Sequence, residues 1–308
     1  MEDELLQMLE ECKVCPRQCR VNRLAGKKGY CGTANEIIIA HYGPHYGEEP
    51  PISGARGSGT IFFSSCNLRC IFCQNYQISH YREGESCTME KLADIFLLLE
   101  KQGCHNINLV SPTPYVPFIA VAIKKARLKG IKIPFVYNSN GYDSVEALKI
   151  LEGLIEIYMP DFKYWNAAIA KKLSDVSVDK GYPEHAAAAI IEMKRQVGNL
   201  IIEKGIATKG LLIRHLVLPG NLAGFDKIME WIRDNLGTGT FISLMSQYYP
   251  IHNAGKYPMI NRKIKHKEYD RLTDLLINEG FKNAFIQKLE SAPLFVPDFK
   301  KEKPFGEQ

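Results

Sequence analysis

The chain has 308 residues, and its 39 Lys and Arg against 34 Asp and Glu leave a formal charge of only +5, too even a balance to suggest a nucleic-acid partner. Hydrophobic residues at 45% and charged residues at 24% are ordinary globular values, and no run approaches the roughly 18 apolar residues of a membrane span, so no membrane partner is expected. Met1 to Glu11 hold five acidic side chains and no basic one, the reverse of a secretory leader, which places the expected location in the cytoplasm.

In chain order, residues 1–57 read as an irregular N-terminal module rich in cysteine, glycine and turn residues. Its spacing Cys12-x2-Cys15-x3-Cys19-x11-Cys31 offers four thiols, a complete shell for either a tetrahedral zinc or a second iron–sulfur cluster. The total of nine cysteines is odd, and seven lie in two tight groups; this argues for metal or cluster ligation over a disulfide framework. Cys87 and Cys104 have no neighbour at ligand spacing and read as packing residues.

From residue 58 to 292 short β-branched or aromatic runs alternate with amphipathic stretches, the pattern of repeated βα units. Strands are expected at Thr60–Phe63, Ile107–Val110, Ile133–Tyr137, Leu154–Met159, Leu211–Leu218 and Thr240–Leu244. Leu92, Ile95, Phe96 and Leu99 make a helical stripe capped by Thr88; Phe225, Ile228 and Ile232, then Tyr269, Leu272 and Leu276, repeat the pattern. The fold expected is α/β, a partial (β/α)6 barrel. Residues 293–308, with Pro297 and Pro304, read as a C-terminal tail on the surface.

The decisive segment follows the first of these strands: Ser65-Cys66-Asn67-Leu68-Arg69-Cys70-Ile71-Phe72-Cys73-Gln74-Asn75. Three thiolates from one loop suit an iron–sulfur cubane with one iron left without a protein ligand, whereas a structural zinc would want a fourth. His80 and Cys87 lie outside the tight loop and read as surface or packing residues. Because barrel active sites collect at the C-terminal ends of strands, the other strand ends supply further candidates. They are Ser111 and Thr113 after the second strand, Asn138 and Asn140 after the third, and Asp161 and Lys163 after the fourth. On the fifth, Arg214 and His215 must point to opposite sides, and Arg214, a fixed cation, is assigned to the interior. Gln247 ends the sixth.

Cys66, Cys70 and Cys73, with Phe72 before the last, resemble the cluster motif of the radical S-adenosylmethionine (SAM) enzymes. The resemblance implies a [4Fe-4S] cluster whose open iron takes SAM, and reductive cleavage of SAM to a 5′-deoxyadenosyl radical that abstracts hydrogen. It also implies a reducing partner such as flavodoxin or ferredoxin. Asn138-Ser139-Asn140-Gly141 and Met159-Pro160-Asp161-Phe162-Lys163 resemble the strand ends of pyruvate formate-lyase activating enzyme, near which SAM binds. The Ser111-Pro112-Thr113 turn departs from the usual Gly-Gly-Glu; either its hydroxyls or nearby carbonyls take that role, or it is a plain proline-stiffened turn. Phe72, Asn75, Ser111, Thr113, Asn138, Asn140, Asp161, Lys163, Arg214 and Gln247 are thereby expected around the cofactors. The N-terminal segment through Gly29-Tyr30-Cys31-Gly32 resembles the PflX-like branch of the same superfamily. A glycyl-radical protein is one implied substrate. A peptide or small molecule as substrate, and a non-catalytic metal-binding or electron-transfer protein, stay open as alternatives.

Overall fold

Strand segments too apolar to tolerate water on either face set the architecture, because only a sheet covered on both sides can bury them. Ser58–Phe63 and Phe135–Asn138 are buried at every position. The computed structural model describes residues 2–177, 181–289 and 296–306. Its elements run α1 (Glu2–Gln7), β1 (Ile37–His45), α2 (Pro50–Ser53), β2 (Ser58–Phe63), α3 (Tyr76–Ser79), β3 (Glu85–Cys87), α4 (Met89–Lys101) and β4 (Ile107–Val110). There follow α5 (Val116–Leu128), β5 (Phe135–Asn138), α6 (Val145–Ile150), β6 (Ile157–Tyr158), α7 (Ala167–Ser174), α8 (Tyr182–Val197) and β7 (Ile201–Glu203). The last are β8 (Ile206–Leu216), α9 (Phe225–Leu236), β9 (Phe241–Met245), α10 (His266–Asn278) and β10 (Ala284–Ile286).

The sheet order is β10-β9-β8-β6-β5-β4-β2-β1-β3, with β7 paired to β8. From β10 to β2 every neighbouring pair is parallel. β1 is antiparallel to both β2 and β3. This is the expected α/β fold, a partial barrel with helices outside. Thr88 caps α4 by accepting from the Lys91 N–H at 3.1 Å, and the stripe Leu92, Ile95, Phe96 and Leu99 is buried against the sheet. Phe96 meets the Phe135 ring edge-on, centroids 5.0 Å apart.

The structure moves several expected boundaries. The strand expected over Leu154–Met159 forms its ladder only at Ile157–Tyr158, because Leu151 to Leu154 close the turn that ends α6. The strand expected from Leu211 begins at Ile206, since Lys204 and Gly205, both at positive φ, fold β7 back onto it as a hairpin. Residues 1–57, expected to be irregular, contain the nine-residue β1, which adds to the sheet beside β2. Residues 290–292 of the expected barrel, and 293–295, 307 and 308 of the expected tail, lie outside the described residues. Residues 296–306 lie back on the body: the Phe299 N–H donates to Gln77 Oε1 at 2.8 Å, and the Phe305 ring sits 4.5 Å from that of His45. Among the described residues no helix is long and apolar enough to cross a membrane.

Phe96→Ala should destabilise the fold by about 3–5 kcal/mol, the range for emptying a large buried aromatic site. Thr88→Ala should cost only about 1 kcal/mol through loss of the helix cap. Chemical denaturation of the two variants against the parent checks the ranking.

Candidate functional site

β2 delivers the chain to the site through Ser65, a buried residue in the left-handed region at φ +74°. The loop it opens is pinned from several directions. The Arg69 and Ile71 N–H groups donate to Ser174 O and Leu173 O at 3.0 and 2.9 Å, and Asn67 Nδ2 to Tyr142 O at 2.6 Å. Phe72 is buried with its ring edge-on to Tyr248 at 5.6 Å.

Cys66, Cys70 and Cys73 line one cavity of about 170 Å³. Each sulfur has a polar neighbour. Asn140 Nδ2 donates to Cys66 Sγ at 3.3 Å, Ser174 Oγ donates to Cys70 Sγ at 3.0 Å, and Ser79 Oγ lies 3.1 Å from Cys73 Sγ. Burial pushes all three thiols up, Cys73 to about 12, so a metal taken by them would displace protons. Among the described residues no three His, Cys, Asp or Glu side chains stand together as a group that could hold a metal ion. The donor set nonetheless suits an iron–sulfur cluster: thiols alone, on one loop, with hydrogen-bond donors at the sulfurs of the kind that tune such clusters. His80 lies outside this cavity, its Nδ1 2.9 Å from Ser79 Oγ, and Cys87 is on β3.

The same cavity is lined by Ser111, Asn138, Asn140, Asp161, Lys163, Arg214 and Gln247. Lys163 Nζ donates to Asp161 Oδ2 at 2.6 Å, and Arg214 Nε to Asp161 Oδ1 at 3.2 Å. Burial works to raise the Asp161 carboxyl, but Lys163 and Arg214 outweigh it and hold it below the ordinary carboxylate range. Strand alternation does separate Arg214 from His215: the histidine is fully buried on the other face, Nδ1 2.7 Å from Phe162 O and its ring beside Phe225. Gly141, at φ +76°, is needed where β5 meets the end of β6, because a Cβ there would lie 2.1 Å from Asp161 O.

Phe72 and Asn75 join this lining, and Gln247 touches Gln74, whose Nε2 donates to Gln247 O at 2.8 Å. Thr113 is placed elsewhere. It is buried, donating to Asp143 Oδ1 at 2.6 Å beside Tyr137 and Ser139, because the proline-stiffened turn directs its hydroxyl into the sheet layer and leaves Ser111, at φ +59°, to face the cavity. Glu48 and Glu49 went unforeseen. They follow β1 in a Gly- and Pro-rich stretch with no periodicity, and Glu48 reaches Arg214 Nη1 at 3.1 Å.

The N-terminal cysteines are free thiols, with Cys12 and Cys31 buried. Burial, and then the other three thiols of the group, push Cys15 up to about 12, so the four are electrostatic neighbours. The module abuts the thiol loop: Arg17 lies 3.3 Å over the Tyr30 ring and donates to Asn67 O at 2.5 Å, while Arg69 Nη2 donates to Tyr30 O at 2.9 Å.

Asp161→Asn should destabilise the protein at neutral pH by about 3–5 kcal/mol, because it leaves the buried Lys163 without its carboxylate and takes from Arg214 one of the two it bonds. A folded-state pKa below the unfolded value means that Asp161 contributes stability above about pH 4, and that this is lost as pH falls through the lower folded value. The difference in Tm between parent and variant, followed from pH 7 downward, should therefore narrow only below about pH 4.

Comparison with known proteins gives the family. The chain is 30% identical over 275 residues to the uncharacterized protein MJ0674 of Methanocaldococcus jannaschii, covering 87% of this chain and 75% of that protein. It is 24% identical over 294 residues to the uncharacterized protein MJ0808 of the same organism, covering 89% and 80%. Among solved structures it resembles the FeFe-hydrogenase maturase HydG from Carboxydothermus hydrogenoformans, with TM-score 0.51 and 12% identity over 75% of this chain and 54% of that one. A second HydG structure, a maturase of the [FeFe]-hydrogenase, gives TM-score 0.51 and 16% identity over 75% and 52%. The chain thus spans about half the length of these maturases, and the likeness is one of fold. The family model for the radical SAM superfamily matches residues 60–232, from β2 through the thiol loop into α9, so this chain belongs to the radical SAM superfamily.

Proposed function

We propose that this chain holds one [4Fe-4S] cluster on Cys66, Cys70 and Cys73, binds SAM beside it and cleaves it reductively. The observation that carries the reading is one cavity lined both by three thiols, each with a polar neighbour at its sulfur, and by amide, hydroxyl and charged groups. When bound, cluster and SAM together supply the electron and the sulfonium bond whose cleavage yields methionine and a 5′-deoxyadenosyl radical for hydrogen abstraction. The chain's own part is to bind, orient and exclude water. Ser111, Asn138, Asn140 and Gln247 offer neutral hydrogen bonds to SAM. Lys163 and Arg214, locked on Asp161, keep fixed charges at the cavity wall. Leu68 and Phe72, both buried, cover the loop against solvent. A flavodoxin- or ferredoxin-type protein in a reducing cytoplasm would supply electrons.

The finer reading is activation of a glycyl-radical protein. It is supported by the likeness of the Asn138–Gly141 and Met159–Lys163 strand ends to pyruvate formate-lyase activating enzyme, and by their position around this cavity. The four N-terminal thiols, on one module braced against the thiol loop through Arg17 and Arg69, support a second metal, zinc or cluster.

Anaerobic protein with dithionite and SAM should form 5′-deoxyadenosine, and Cys66→Ala, Cys70→Ala or Cys73→Ala should abolish it; a parent protein that forms none is a carrier and not a catalyst. Reduced enzyme mixed with a candidate glycyl-radical partner should give a protein-borne organic radical by electron paramagnetic resonance. For the N-terminal site, iron and zinc analysis of Cys15→Ala distinguishes the two metals. Loss of zinc with iron retained identifies a structural site, and loss of about half the iron a second cluster.

A further inference from the structure

Behind the thiol-lined cavity the barrel interior widens into a chamber of about 520 Å³, which shares Gln74, Asn138, Arg214 and Gln247 with it. The segment after β1 forms part of its wall. Glu48 and Glu49 line the chamber, and Ile52 of α2 is buried in an apolar layer with Val136, Met159 and Leu212.

Three carboxylates, Glu48, Glu49 and Asp161, two permanent cations, Lys163 and Arg214, and the imidazole of His45 line this joined space. Both cations are already committed. Lys163 bonds Asp161 at 2.6 Å, while Arg214 divides its donors among Asp161 at 3.2 Å, Glu48 at 3.1 Å and Asn138 at 2.8 Å. Glu48 is completed on its other oxygen by Asn108 Nδ2 at 2.9 Å. Burial raises the Glu49 carboxyl against the nearby Arg214 charge, the Ser243 hydroxyl and its own backbone N–H, and its Oε2 has no hydrogen-bond partner although the residue is just 9% exposed. A buried carboxylate oxygen left in this state is costly, and a protonated one would leave its hydroxyl hydrogen equally without an acceptor. What completes it is an N–H donor of positive charge arriving from the chamber.

We propose that the substrate processed here carries a cationic nitrogen, an ammonium or guanidinium group, that docks on Glu49. The proposal rests on the radical SAM reading, which supplies the reaction; Glu49 supplies the choice of substrate.

The test is calorimetric titration of full-length, cluster-reconstituted protein saturated with SAM and without reductant. The probes are hexylammonium, its neutral isostere 1-hexanol, and capped Gly-Lys-Gly and Gly-Met-Gly peptides. The cationic member of at least one pair should bind about tenfold or more tighter than its neutral partner. Glu49→Gln should remove that preference while leaving iron content and SAM affinity unchanged. Tighter binding of hexylammonium identifies a free amine, and tighter binding of the lysine peptide a side chain of a protein substrate. Equal binding within both pairs, absence of binding by either cation, or a preference that survives Glu49→Gln overturns the proposal. Competition between the cationic probe and SAM also overturns it, by assigning Glu49 to the ammonium of SAM. If Glu49→Gln fails to load iron, Glu49→Asp decides the matter: a cation preference smaller than the parent's supports the proposal, and one equal to the parent's overturns it. Formation of 5′-deoxyadenosine is scored separately with dithionite, so failure of the radical SAM reading is seen independently of these affinities.

Discussion

Arg214 enters the barrel from β8 and spreads its guanidinium over groups from three other segments: Asp161 after β6, Asn138 on β5 and Glu48 after β1. A charge taken out of water in this way is tolerable only when every face is answered by a fixed partner, so the four segments hold one another in register. Remove the cation and two carboxylates are left buried and opposed. The position of the strand ends around the thiol cavity, and the closure of the interior by the residues after β1, both depend on that network.

The thiol loop shows a second form of the same economy. Its backbone is held by α7 and by the turn after β5, and its sulfurs are met by Asn140, Ser174 and Ser79, so side chains from separate elements surround the one cavity. The N-terminal module is braced against that loop by Arg17 and Arg69, with Tyr30 between them. A metal held by Cys12, Cys15, Cys19 and Cys31 would therefore be mechanically coupled to the loop, whichever metal it is. The tail adds a further cover, placing Phe299 and Phe305 against Phe62, whose ring also lines the larger chamber.

Much of the outer layer was legible from local pattern. The stripe Leu92, Ile95, Phe96 and Leu99 and its Thr88 cap appear in the structure as read, because helix periodicity and capping are set within a few residues. The strand ends were legible too, since Asp161, Lys163 and Arg214 interrupt apolar runs where a charge needs a partner. Thr113 was misplaced: a hydroxyl in a turn has no periodicity to say which way it points, and Asp143, thirty residues on, captures it. β1 and Glu48 were missed for a related reason. β1 gains its ladder only when β2 and β3 are in place, and Glu48 gains its meaning only from Arg214, 166 residues away.

By itself the sequence determined the chemistry available: three thiols on one loop after a strand, four more near the start, and an alternation of strand and helix that can close only as a covered parallel sheet. These follow from spacing and burial, which neighbouring residues share. Tertiary structure alone decided which polar groups face the thiols, which cation neutralises which carboxylate, and that Glu49 Oε2 is left without a partner. Those outcomes depend on charges brought together from distant segments in a low-dielectric interior, where the energy of each group is set by neighbours that no local pattern names.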